Sequence, residues 1–154
     1  DPVRKVIEDV FTASLMADVS AQTASYDAAE ALAWALPKLS DGPVLVYSTD
    51  EPGEVAAAQE KLGRDAAGEM MEQALARVAE GLVGAGVRKL IVAGGETSGA
   101  VVNKLGVQGL RIGPEIDPGV PWTVSLGERE IALALKSGNF GGDNFFEDAF
   151  GKLS

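Results

Sequence analysis

The chain has no cysteine and no histidine. Without cysteine there is no disulfide framework, no thiolate zinc site and no thiol nucleophile. Without histidine, imidazole acid–base chemistry is excluded too, so any catalysis must draw on carboxylates, Lys or Arg, hydroxyls, backbone dipoles or a hard cation. Aromatic residues make up only 6% against 46% hydrophobic residues in all, which suits an Ala/Val/Leu-packed α/β core better than an all-β sandwich. Positive charge is scarce as well: 13 Lys and Arg face 23 Asp and Glu, for a formal charge of −10 and a pI near 4.4. Such a surface repels a polyanionic backbone and offers no counterion release, so neither a nucleic acid nor a membrane is expected as a partner. No apolar run approaches the ~20 residues of a membrane span. The opening Asp1-Pro2-Val3 carries no basic region followed by an apolar stretch, so no secretory signal is visible. A cytoplasmic protein is expected, and the missing initial Met reads as a processed or excised piece.

What is present fits one domain, residues 1–154, and a chain of this length can bury roughly 70% of its unfolded surface. Residues 1–20 suit either a helix or an edge strand. Asp27 to Leu36 predicts an alanine-rich helix stopped by Pro37. Val44 to Tyr47 reads as a buried strand, and Glu54 to Leu62 as a short helix. A long helix from about Asp65 to Val83 carries Met71, Leu75, Val78 and Leu82 as its apolar stripe and ends at Gly84-Ala85-Gly86. Strand Lys89–Ala93, a helix Ser98–Leu105 and a short strand Leu110–Ile112 follow, then a proline-stiffened loop over 116–121. Trp122–Leu126 and Ile131–Leu135 read as a hairpin, and a terminal helix carries Phe145, Phe146 and Phe150. This order predicts a three-layer α/β/α domain with a mostly parallel, mixed sheet and a C-terminal antiparallel hairpin.

Two glycine turns carry the chemistry. In Ile91-Val92-Ala93-Gly94-Gly95-Glu96-Thr97-Ser98-Gly99, a buried strand runs into a turn and a helix start, where free N–H groups make an anion pocket. Gly94 and Gly95 allow close backbone approach, Thr97 and Ser98 can cap the helix or meet a phosphate, and Glu96 can hold Mg²⁺. A plain strand-to-helix turn explains the same residues. The second turn, Lys136-Ser137-Gly138-Asn139-Phe140-Gly141-Gly142-Asp143, should lie beside the first if their strands run parallel, with Asp143 capping the last helix. Lys136 and Arg111 are candidates for neutralising phosphate, Ser48 and Thr49 for a third loop, and Trp122 for stacking or for the core. Gly94 to Val101 has the Gly-x4-Gly spacing of a P-loop, but Ala100-Val101 stand where Lys and Ser/Thr belong, so this is no Walker A site. A Rossmann dinucleotide site could use Glu115 on the ribose, but Gly-x-Gly-x-x-Gly spacing is missing.

The segment Ile91 to Val102, followed by Leu105-Gly106-Val107, by Leu110 to Pro121 and by Leu133 to Asp143, resembles the four-carbon acid sugar kinase family. The match is dense from about 88 to 148, weaker over 27–87 and poor before 20. In that family an N-terminal domain binds the sugar acid and a C-terminal domain binds ATP. Nothing here matches the Asp-Asp-x-Thr-Gly-Ala motif of the N-terminal domain. The resemblance therefore implies the C-terminal, nucleotide-binding part of a two-domain kinase, with the catalytic base in the absent domain. The implied reaction moves the γ-phosphoryl group of ATP to a hydroxyl of a tetronate or 3-oxo-tetronate, work that needs positioning and charge rather than histidine. It assigns Gly94, Gly95, Glu96, Thr97, Ser98 and Gly99 to the phosphates and Mg²⁺, with Glu96 on the metal. Gly138, Asn139, Phe140, Gly141 and Gly142 form the second wall. A homodimer is compatible with this reading. The alternative of a different class is a non-catalytic nucleotide-sensing or protein-interaction domain.

Overall fold

The computed structural model describes residues 28–47, 60, 63–138 and 140–153. The chain divides into two compact units, Asp1–Val78 and Ala79–Ser154. The ambiguous residues 1–20, the pair Ser48–Thr49 and nearly all of the expected helix 54–62 lie outside the described residues.

In the first unit, helix α1 spans Ala28–Ala35 and tightens into a 3-10 turn at Leu36–Lys38. Ala28, Ala31 and Ala35 form its buried side, and Pro37, which has no N–H to donate, marks the change. Val44 to Tyr47 does not form the expected strand: it is half-buried and pairs with no described strand. An apolar run becomes a strand only when a neighbour supplies a row of N–H and C=O partners. Helix α2, Arg64–Gly84, buries Ala67, Ala74, Ala76 and Val78 in this unit and Ala79, Leu82 and Val83 in the next. Of the expected stripe, Met71 and Leu75 are only half-buried; the small side chains are the better covered. None of the helices among the described residues is long and apolar enough to cross a membrane.

The second unit holds β1 (Lys89–Ala93), α3 (Gly95–Lys104), β2 (Leu110–Asp117), β3 (Val120–Ser125), β4 (Ala132–Lys136) and α4 (Phe145–Gly151). Helices α2 and α3 end alike. Val87 N–H donates to Leu82 O and Gly86 N–H to Val83 O, and Val107 and Gly106 repeat this onto Val102 and Asn103. These are Schellman closures, with Gly86 at φ +110 and Gly106 at φ +67 in the position that favours glycine.

The sheet order is β1-β4-β3-β2. β1 and β4 are parallel, whereas β4–β3 and β3–β2 are antiparallel. The mixed α/β sheet and the C-terminal antiparallel hairpin are as expected, but the described strands are less parallel than the sequence suggested. Short links between β2, β3 and β4 can only join antiparallel neighbours. β2 is also longer than the expected 110–112, and 116–121 is the tip of a β2–β3 hairpin rather than a loop. Gly119 stands at φ +82 there, the positive φ that the third residue of a type II turn needs, and Pro118 before it is common in such turns. The register shifts between Ile112 and Glu115, where Gly113-Pro114 passes. Pro114 is tolerated because β2 is an edge strand, and a methyl on Gly113 would sit 2.9 Å from Trp122 O.

Side chains alternate across the sheet. Ile116, Val120, Trp122 and Ala134, with Ile91, pack on Phe145 and Ala149 of α4. On the other face Ile131 and Leu133, with Leu90, Leu110 and Leu135, meet Val83 of α2 and Leu105 beyond α3. This is a helix–sheet–helix arrangement. Two buried polar side chains of β3 are paired: Trp122 Nε1 donates to Ala149 O at 2.7 Å and Thr123 Oγ1 to Leu133 O at 2.7 Å. Trp122 is 1% exposed, so it belongs to the core and has no face free for stacking.

Candidate functional site

β1 and β4 run side by side to their last pair, Ala93 with Lys136, and both chains leave the sheet at the same edge. Gly94 N–H extends the pairing by donating to Lys136 O at 2.7 Å. The two glycine turns are therefore neighbours, as parallel strands require. A methyl on Gly95 would lie 3.7 Å from Ser137 Oγ, so only a narrow gap separates them.

In the first turn Gly94 is the helix N-cap, at φ +113 and ψ 130, a conformation open to glycine. Helix α3 accordingly starts at Gly95, three residues before the expected Ser98. Its first intrahelical bond runs from Ser98 N–H to Gly94 O at 2.9 Å. This leaves the N–H groups of Gly95, Glu96 and Thr97 without an intrahelical acceptor, beside a negative residue that suits a helix start. Neither Thr97 nor Ser98 caps the helix, since the cap is glycine and makes no side-chain bond. Ser98 Oγ is buried and has no hydrogen-bond partner among the described residues. Glu96 and Gly99 are exposed.

In the second turn Gly138 stands at φ +48 and Gly141 at φ +95. Phe140 N–H donates to Ser137 O, Phe145 N–H to Gly142 O, and Lys136 Nζ to Gly138 O at 2.8 Å. Phe140 is 55% exposed. Asn139 lies outside the described residues. Asp143 does not cap α4: Asn144 holds that position and makes no side-chain cap bond.

β2 is antiparallel to β3, so it runs in the same sense as β1 and β4 and brings its own end to the same edge. There Asp117 Oδ2 accepts the Gly142 N–H at 2.8 Å. The sequence shows a proline-stiffened loop at 116–121 but not its place at this edge, which only the strand pairing decides. Arg111, at the start of β2, is at the opposite end and pairs with Glu130 at 3.3 Å, so it does not reach the glycine turns. Glu115 accepts from Gly119 N–H at 3.0 Å on β2, which has two strands between it and β1. A Rossmann ribose acid needs a parallel strand next to the first turn, so the dinucleotide reading falls. A cavity of about 390 Å³ lined by Glu80, Lys104, Leu126 and Arg129 lies near the start of β4, away from the turns.

No three acidic side chains converge among the described residues, so they build no all-protein cation cage. A Mg²⁺ ion would need no such cage, since it keeps several waters and takes only one or two carboxylates with phosphate oxygens, and the exposed Glu96 at the first turn could supply one.

An α/β unit with paired glycine turns at one sheet edge offers free N–H groups of the kind an anionic ligand such as a nucleotide can use. The model of the nucleotide-binding C-terminal domain matches residues 4–146, and the chain belongs to that family, within the four-carbon acid sugar kinases. A 3-oxo-tetronate kinase of Cupriavidus necator is 59% identical over 111 residues, 72% of this chain and 26% of that protein. Its counterpart from Pseudomonas fluorescens is 55% identical over 125 residues, 81% of this chain and 29% of that protein. The crystal structure of a Haemophilus influenzae protein of the DUF1537 family matches with TM-score 0.77 at 34% identity, over 99% of this chain and 38% of that one. The chain thus spans less than a third of the length of these curated relatives.

Proposed function

We propose that this chain is a single nucleotide-binding domain that holds ATP for a kinase phosphorylating a hydroxyl of a four-carbon sugar acid, of the 3-oxo-tetronate type. The observation that carries the proposal is the pair of glycine turns leaving the parallel strands β1 and β4 at one edge. The similarity to 3-oxo-tetronate kinases supports the choice of reaction. The N–H groups of Gly95, Glu96 and Thr97 face the phosphates, with Ser98 and Gly99 behind them. Gly138, Asn139, Phe140 and Gly141 form the opposite wall, and Lys136 beneath them adds positive charge. Gly142 contributes shape rather than a donor, because its N–H is already taken. Glu96 would hold Mg²⁺, which when bound neutralises phosphate charge. The acid substrate and the base that activates its hydroxyl belong to the sugar-acid-binding domain of the family. A cytoplasmic location and a homodimer complete the proposal; sedimentation velocity tests the latter.

Titration calorimetry with ADP and Mg²⁺ is the direct test. Heat of binding and a rise in Tm at millimolar ADP are expected. Neither signal from a folded chain would sink the proposal, and preference for NAD over ADP would reinstate a dinucleotide site.

A further inference from the structure

The segment Gly113 to Pro121 has no part in the nucleotide reading, yet the fold delivers its tip to the same sheet edge. That tip is braced from several sides. Gly119 N–H donates to Glu115 Oε1, and Lys152 Nζ donates to the carbonyls of Glu115 and Ile116 at 3.0 and 2.7 Å. Ile116 and Val120, flanking the turn, are buried against α4. Above Gly119 lies the ring of Phe140, so close that a methyl on Gly119 would be 3.1 Å from Cδ1 and Cε1. From this braced position Asp117 Oδ2 takes the Gly142 N–H at 2.8 Å, across 25 residues of sequence. The turn it holds contains two positive-φ glycines, so its backbone has more alternatives than an ordinary loop.

We infer that Asp117 is a positioning residue: from the β2–β3 hairpin tip it latches the second glycine turn in the shape that accepts the nucleotide. This rests on the nucleotide reading above. A carboxylate accepting a backbone N–H makes a stronger bond than a neutral acceptor does, although exposure to water weakens it. With the latch gone, the turn spends less time in the accepting shape, and apparent affinity falls by that fraction.

The test compares the full chain with Asp117→Ala and Asp117→Asn. ADP–Mg²⁺ affinity is read by calorimetry and backbone amide exchange over residues 137–145 by mass spectrometry. Asp117→Ala should weaken ADP roughly fivefold to tenfold, the scale of one lost hydrogen bond. It should also speed exchange in 137–145 while β1 and β4 exchange as in the parent and Tm falls by no more than about 2–4 °C. Asp117→Asn, whose amide oxygen accepts the same bond, should recover most of both. Parental affinity and exchange in Asp117→Ala overturn the inference, as does faster exchange spread across the whole sheet. If the parent chain takes up no ADP, the nucleotide reading has failed by itself. Exchange in Asp117→Ala then decides the latch alone, local acceleration supporting it and none overturning it.

Discussion

Gly94 and Gly95 are adjacent in sequence but should fail in opposite ways when substituted. Gly95 is the first residue of α3 and has no positive φ, and a β-carbon there meets only Ser137 Oγ at 3.7 Å, an ordinary contact. Valine ranks above glycine in helix propensity, so the substitution has no propensity cost for α3. Tm should therefore stay within about 2 °C of the parent. The two γ-methyls of valine, however, enter the gap between the turns and cover the N–H groups assigned to phosphate. Gly95→Val should therefore lose at least about tenfold in ADP affinity, ~1.4 kcal/mol, with the fold intact. Gly94 is the control. At φ +113 it resists any side chain, and a methyl would stand 3.2 Å from Thr97 Oγ1. Gly94→Ala should cost ~1–3 kcal/mol of stability. Calorimetry with ADP–Mg²⁺ and urea unfolding measure the two quantities on each variant. Parental ADP binding by folded Gly95→Val would refute the placement of phosphate at this turn, leaving Gly94 and Gly95 as structural glycines.

Gly141→Ala should destabilise strongly, by ~2–5 kcal/mol from backbone strain and overpacking together, because a methyl there would lie 2.8 Å from Cδ2 of the buried Phe145. A thermal melt within 2 °C of the parent, against the several degrees expected for about that loss, would contradict it. The chain alone should show no acid-dependent turnover with erythronate, threonate or 3-oxo-tetronate in an ADP-release assay, whereas a full-length kinase carrying it should. Lining up a hydroxyl with the γ-phosphate accounts for ~7–11 kcal/mol of such a barrier, and the groups that do so are assigned to the other domain. Robust turnover by the chain alone would show that the acid site has been misplaced.

Local signals carried much of the fold. The apolar run ending in Gly94 delimits β1 to the residue, and Gly86 and Gly106 stop their helices because the Schellman closure needs the left-handed region that glycine enters freely. The four-residue spacer between two apolar runs marks the β3–β4 hairpin, and the long motifs from Ile91 to Asp143 carried the family. These are properties of neighbours along the chain. The helix start was not legible, because Thr97 and Ser98 look like caps until the β1–β4 pairing holds Gly94 against Lys136 O and makes glycine the cap. β2 looked finished at Ile112, since Gly113-Pro114 breaks a strand locally; pairing with β3 carries it past the bulge to Asp117. Val44 to Tyr47 has a strand's composition and no strand partner among the described residues. Trp122 became core because α4 turns the orphan carbonyl of Ala149 toward its N–H. Local composition sets which conformations a segment can adopt, but strand order and register are set by long-range hydrogen bonding and burial. Only that pairing could bring Asp117 to Gly142.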